Sequence, residues 1–185
     1  MFPMVVVGIV SPFDEKTKQS RNTDLLPKPE NDKTTKNYNG YLGNADNFFR
    51  FLTDEVSPFL EKNYRTTSSR IAVGHSNGGT FISHCFLEKP EFFNAYVLVS
   101  PNYGYDDFQL VKRFQNFNFN QLNSKKFFYL CNANEAKDFG KDWEKGNLEV
   151  AKILQEKATQ NKIKFINTQN FDGADISSLL IWENN

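Results

Sequence analysis

The hexapeptide Gly74-His75-Ser76-Asn77-Gly78-Gly79, entered from the apolar run Ile71-Ala72-Val73, constrains this chain more than any other stretch. It carries the G-x-S-x-G pattern in which a buried strand ends, the chain turns sharply at a serine and a helix begins. The serine of such a turn sits in a strained backbone conformation and its neighbours approach closely. Gly74 and Gly78 therefore read as positions where a Cβ would obstruct that approach. Ser76 becomes a candidate nucleophile. The backbone N–H of Asn77 points toward the same space and supplies one donor to a developing oxyanion. The pattern also fits a Gly-rich strand-to-helix turn with an ordinary serine. A β-type run before it and a helical run after it favour the nucleophile.

The rest of the chain reads as alternating strands and helices. Val5 to Val10 is a continuous β-branched run, expected as a strand buried on both faces. Ser11 to Leu42 is polar and contains Pro27 and Pro29, and is expected as one long loop. Asn44 can cap a helix running to about Tyr64, on which Phe48, Phe51, Leu52, Val56, Phe59 and Leu60 share helical spacing. Pro58 should bend that helix or start its last turn. Strands are expected at 71–74, 95–100, 126–131 and 163–168. Helices are expected at 78–87, 143–160 and 177–182, with a Phe- and Asn-rich connector at 106–123. This alternation predicts a parallel sheet with helices on both faces in a single domain, residues 1–185.

Composition excludes several functions. Lys and Arg together number 22 and Asp and Glu together 22, so there is no basic field for nucleic acid and no polybasic patch for a membrane. No run reaches the roughly 18 apolar residues of a membrane span. The N-terminus lacks a basic segment and a small-residue cleavage site, so it reads as a strand and not a signal peptide; the cytoplasm is then the default compartment. Cys85 and Cys131 lie apart in apolar stretches and read as buried thiols. With two histidines and two separated cysteines zinc has no ligand set, and no phosphate-cradling loop is present, so no metal and no cofactor is implied.

Several segments together resemble the esterase D and enterochelin-esterase-like branch of the α/β-hydrolases. They are Val6-Val7-Gly8-Ile9 followed by Arg21-Asn22-Thr23-Asp24-Leu25-Leu26-Pro27; Gly43 to Phe48 with Pro58 to Tyr64; Gly74 to Gly79; and Lys89 to Tyr96 with Ser100-Pro101. The resemblance covers nearly the whole chain and is strongest from residue 40 to 105. It implies an α/β-hydrolase-like three-layer α/β/α sandwich with a mostly parallel sheet. It also implies hydrolysis of a small-molecule carboxylic ester through an acyl-Ser76 intermediate. Against that family, strands that usually precede the equivalent of Val5–Val10 are not present here. The chain looks like the C-terminal two-thirds of the usual domain, with a sheet edge open to self-association.

The resemblance also assigns roles. Glu135, in the loop after the 126–131 strand, matches the acid of a catalytic triad; the bland alternative is a solvated or helix-capping glutamate, with Asp138 the next candidate. The family's base is a histidine after the last strand, where Asn170-Phe171-Asp172-Gly173 stands. Asp172 takes that place, or is a turn aspartate before Gly173. The chain's own histidines are ill placed. His75 adjoins Ser76 and faces away from it, among the substrate-binding candidates. His84 lies eight residues on, about 12 Å along the following helix. Removing the histidine from such a triad costs on the order of a millionfold in turnover. Arg21 either orients a substrate or clamps the long loop through Asp24. Tyr103, and Tyr105 beside it, either line the pocket or belong to the aromatic core.

Three hypotheses follow. The chain is a serine esterase impaired by an incomplete triad, a catalytically silent hydrolase fold that binds a ligand, or a truncated remnant. Reactivity of Ser76 separates the first two. Solubility and cooperative unfolding separate the third.

Overall fold

The computed structural model describes residues 4–133, 137 and 140–168. The chain divides into two compact units, Met1–Ser69 and Arg70–Asn185.

In the first unit the expected strand at Val5–Val10 does not form. Residues 4–10 are without regular structure, and Val6 and Val10 are 87% and 92% exposed. A β-branched run prefers extended backbone, but a strand exists only where a neighbour completes its ladder. The extended pairing described in this unit is a bridge between Asp14 and Gln19. The expected loop at Ser11–Leu42 contains two short helices, α1 (Arg21–Leu25) and α2 (Asp32–Asn37). Both are too short for hydrophobic periodicity to register, and both start at a cap. Ser20 and Thr23 form a reciprocal capping box, and Asn31 accepts from the Lys33 N–H at 2.8 Å. Around them the loop closes on the buried Asp24 carboxylate, which accepts from Ser11, from Gln19 Nε2 at 2.6 Å and from Asn44 Nδ2 at 3.4 Å.

The expected helix after Asn44 is present as α3 (Ala45–Phe51), a π turn at Leu52–Val56 and α4 (Ser57–Asn63). Pro58 lacks an N–H, and its ring crowds the carbonyl four residues back. The wider π turn immediately before it absorbs that conflict.

The second unit is a four-stranded parallel sheet in the order β1 (Ile71–His75), β2 (Ala95–Val99), β3 (Lys126–Cys131), β4 (Ile163–Thr168). The connections carry α5 (Asn77–Glu88), α6 (Tyr105–Asn116) and α7 (Lys141–Thr159). Consecutive strands laid down in one direction with right-handed crossovers place all three helices on one face. α5 packs on β1 and β2, α7 packs on β4, and α6 lies against both helices. The core between them is aromatic. Phe86 of α5 meets Tyr96 and Phe128 edge-on at 5.3 and 4.9 Å and stacks on Phe114 at 5.9 Å. On the opposite face Ile71, Val73 and Ile166 are 60%, 69% and 43% exposed. Among the described residues β1 forms an edge of the sheet.

The expected strands at 126–131 and 163–168 match β3 and β4 residue for residue. The 106–123 connector holds most of the twelve-residue α6 and a 3-10 turn at Phe119–Gln121. α6 is entered through three left-handed residues, Asp106, Asp107 and Phe108, a break that a periodicity reading cannot anticipate. The helix expected at 177–182 lies outside the described residues.

Candidate active site

The site grows from the end of β1. Ser76 has φ 57° and ψ −125°, a conformation that L side chains rarely adopt and that costs on the order of 1–3 kcal/mol. Its surroundings over-determine it. The Ser76 N–H donates to the Val99 carbonyl at 3.0 Å, extending the β1–β2 ladder past the last strand residue. The Ser76 carbonyl accepts from the N–H groups of Gly79 at 2.9 Å and Thr80 at 3.2 Å, which starts α5. Gly74 is required for the reason its sequence position suggests: a Cβ there would lie 2.3 Å from the Gly78 carbonyl oxygen. Gly79, which the pattern did not single out, is required as well. Its Cβ would fall 2.8 Å from Pro101 Cβ, on the loop after β2. The second glycine of the Gly78-Gly79 pair was the available signal.

Ser76 is half-buried and stands at the N-terminus of the twelve-residue α5, at the carboxyl ends of the parallel strands. The first N–H groups of a helix have no intrahelical acceptor, and the helix dipole is positive there. The positive end of α5 therefore lies beside Ser76, with Asn77 at the first position of that helix. The Asn77 side chain is buried, and its Oδ1 accepts from Asn102 Nδ2 at 3.1 Å. The neighbouring strand ends in the same manner. Ser100 has φ 43°, its N–H donates to Cys131 O at 2.8 Å, and its Oγ accepts from the Ala133 N–H at 3.3 Å.

The remaining candidates separate. His75 closes β1 and, by alternation, shares a face with the exposed Ile71 and Val73, opposite the α5 side on which Gly74 meets Gly78. His84 is 2% exposed within α5. Its Nδ1 lies 3.0 Å from Arg113 Nη1, and Arg113 Nη2 donates to Glu88 Oε1 at 2.6 Å. A guanidinium cannot accept, so Nδ1 is the acceptor and His84 is engaged away from Ser76. Tyr103 is 1% exposed, with its hydroxyl 2.7 Å from Ser83 Oγ and its ring edge-on to Phe114. Burial pushes the Tyr103 phenol well above its ordinary range, against the Ser83 hydrogen bond. This placement puts Tyr103 in the aromatic core. Tyr105 is 3% exposed and equally interior. Arg21 is exposed at the first position of α1, in the other unit. Glu135, Asp138 and Asp172 lie outside the described residues.

A half-buried serine strained at a strand-to-helix elbow, on a parallel sheet of this order, defines the class as an α/β-hydrolase-like fold. The family described as "Putative esterase" matches residues 4–171, and the chain belongs to it. Curated relatives include the ferri-bacillibactin esterase BesA of Bacillus subtilis, 29% identical over 122 residues, covering 63% of this chain and 42% of the relative. They also include the siderophore enterobactin esterase of Emericella nidulans, 32% identical over 97 residues, covering 51% of this chain and 29% of the relative. Among solved structures the BES protein of Bacillus cereus is similar with a TM-score of 0.70 at 21% identity, over 91% of this chain and 60% of that one. The siderophore hydrolase EstA of Aspergillus nidulans is similar with a TM-score of 0.69 at 18% identity, over 86% and 61%. The matched regions thus span less than half the length of either curated relative.

Proposed function

We propose that the chain hydrolyses carboxylic esters through an acyl-Ser76 intermediate. The observation that carries this reading is the backbone of Ser76, held at φ 57° by two backbone ladders and by glycines that a Cβ would clash with. A turn serine with no task gains nothing from that strain, and surroundings that sustain it are a mark of a working site. In the proposed step Ser76 Oγ attacks the ester carbonyl carbon, the alkoxide leaves with a proton, and water later releases the acid from Ser76. The Asn77 N–H donates to the carbonyl oxygen as it becomes an oxyanion.

The base is the weaker part. His84 is committed to Arg113, and His75 faces away from the turn. We assign Glu135 and Asp172 by resemblance as the carboxylates of the site. A carboxylate is a poor base at neutral pH, so turnover is expected to be slow. The relatives' names, ferri-bacillibactin esterase and siderophore enterobactin esterase, make a siderophore ester the first substrate class to test. The test is release of product from a catechol-siderophore lactone and from a short aryl ester, with Ser76→Ala alongside. Serine-dependent hydrolysis supports the proposal. Equal rates for the two proteins remove it and leave a ligand-binding hydrolase fold.

A further inference from the structure

We propose that Asn102 is a positioning residue that fixes the oxyanion donor by holding the Asn77 side chain. The proposal rests on the reading of Ser76 as nucleophile. Asn102 lies on the loop after β2 and is 7% exposed. Its Nδ2 donates to Asn77 Oδ1 at 3.1 Å, and its backbone N–H donates to Thr80 Oγ1 at 3.1 Å. The fully buried Thr80 hydroxyl in turn lies 3.1 Å from Asn102 O and 3.4 Å from Ser76 O, sharing its single proton between them.

The elbow is thereby braced on both sides of the Ser76–Asn77 peptide, at the Ser76 carbonyl and at the Asn77 side chain. The brace has an anchor of its own. Pro101 O accepts from Asn147 Nδ2 at 3.0 Å, and Asn147, on α7, is 1% exposed. Pro101 also fills the space that Gly79 leaves open. A strained peptide relaxes when its restraints are removed. Loss of the Asn102 amide lets the Ser76–Asn77 peptide rotate toward ordinary helical geometry and swings the Asn77 N–H off the oxyanion position. The ground-state ester carbonyl loses little by this, whereas the tetrahedral oxyanion loses its donor. The cost therefore falls on kcat and not on KM.

The test uses Asn102→Leu, Asn102→Asp, Asn77→Ala and the Asn77→Ala/Asn102→Leu double variant. It reads steady-state hydrolysis of an aryl ester and amide hydrogen exchange of Gly79 and Thr80 by NMR. Asn102→Leu is expected to lower kcat roughly tenfold to a hundredfold with KM unchanged. Asn102→Asp restores the hold on the Asn77 side chain, because the Asn77 amide can flip and donate to the carboxylate, but does not restore kcat, because it places a negative charge beside the developing oxyanion. The double variant is no slower than Asn77→Ala, since both act through one group. Exchange quickens in Asn102→Leu at Gly79 and Thr80, whose N–H groups donate to the Ser76 carbonyl that the rotation moves, while β3 amides do not change. Asn102→Ser, too short to reach Asn77, stands in if the leucine variant does not fold. Wild-type kcat and exchange in Asn102→Leu, or effects that add fully in the double variant, overturn the proposal. If the wild-type protein shows no turnover, the serine reading fails and exchange at Gly79 and Thr80 alone decides: faster exchange in Asn102→Leu keeps the brace, unchanged exchange ends it.

Discussion

The two ends of the parallel sheet are held by different physics. At the carboxyl end the chain leaves β1 and β2 through left-handed serines, Ser76 at φ 57° and Ser100 at φ 43°, and enters α6 through Asp106, Asp107 and Phe108 at φ 50°, 53° and 62°. The side-chain bonds around the two serine turns are neutral, from the amides of Asn102 and Asn147 and the hydroxyls of Thr80 and Ser100, whereas the α6 entry carries an exposed Lys112–Asp107 ion pair at 2.8 Å. At the amino end the cross-links are charged. Lys126 Nζ, completely buried, lies 2.6 Å from Glu91 Oε2 and donates to Ser124 Oγ at 2.8 Å. The Arg70 guanidinium sits 4.8 Å over the Phe92 ring and donates to Phe92 O at 3.3 Å. Asn161, left-handed at φ 58° between α7 and β4, is of a type that tolerates it. Ion pairs are strong but carry counter-fields. Neutral amides fix geometry without placing a charge beside a reacting carbonyl. The end that stores strain is the end where the proposed chemistry occurs.

The largest effect is expected at the strained end. Ser76→Ala should abolish the serine-dependent ester turnover, a smaller fall than the roughly millionfold of a histidine-assisted serine because no histidine serves Ser76 here, with little change in melting temperature, read by steady-state hydrolysis and calorimetry. Next comes Gly74→Ala. Its Cβ would meet Gly78 backbone that cannot step aside, so a loss of about 3 kcal/mol or more is expected in urea unfolding. A mild phenotype there would mean that the elbow is looser than the structure shows.

The charged end should respond to pH. Burial works to raise the Glu91 carboxyl, but hydrogen bonds from Lys126, the Asn123 N–H and Ser124 outweigh it and hold it below the ordinary range. A depressed carboxylate contributes stability that is present above its unfolded pKa and lost as pH falls through the folded one. Stability should therefore fall in acid below the usual carboxylate range, and Glu91→Gln should flatten that fall in melting temperature against pH. Glu91→Ala, which strands the Lys126 ammonium, should cost about 2 kcal/mol, discounted because Glu91 is partly exposed. Lys126→Met should come out near neutral. The smallest effect returns to the strained end. Ser76→Gly removes the Cβ penalty at φ 57° and should stabilise by roughly 0.5–1 kcal/mol, whereas Ser76→Ala keeps the penalty. Equal unfolding midpoints for the two variants would argue that the turn is relaxed.

Legibility in the sequence followed the same division. β3 and β4 were readable because a short apolar run bounded by turn residues leaves little choice of ends, and the elbow was readable because only glycine fits beside it. The Val5–Val10 run misled, since β-branching reports a preference for extended backbone and not the presence of a neighbouring strand. α1 and α2 were hidden by length, although the Ser20–Thr23 capping pair was in plain view. Tyr103 was ambiguous because an aromatic after Ser100-Pro101 suits a pocket or a core equally; its 1% exposure and the Ser83 contact settle its surroundings as core. Asn102, Thr80 and Asn147 could not be found from sequence, because their meaning lies in contacts 22 to 46 residues apart.

The most direct measurement of the central claim is reaction of the purified protein with a fluorophosphonate, read by intact mass and peptide mapping, with Ser76→Ala in parallel. One adduct per chain is expected, on the Ser76 peptide, absent from the variant. A cooperatively folded protein that takes up no label, or takes it up equally as Ser76→Ala, would contradict it.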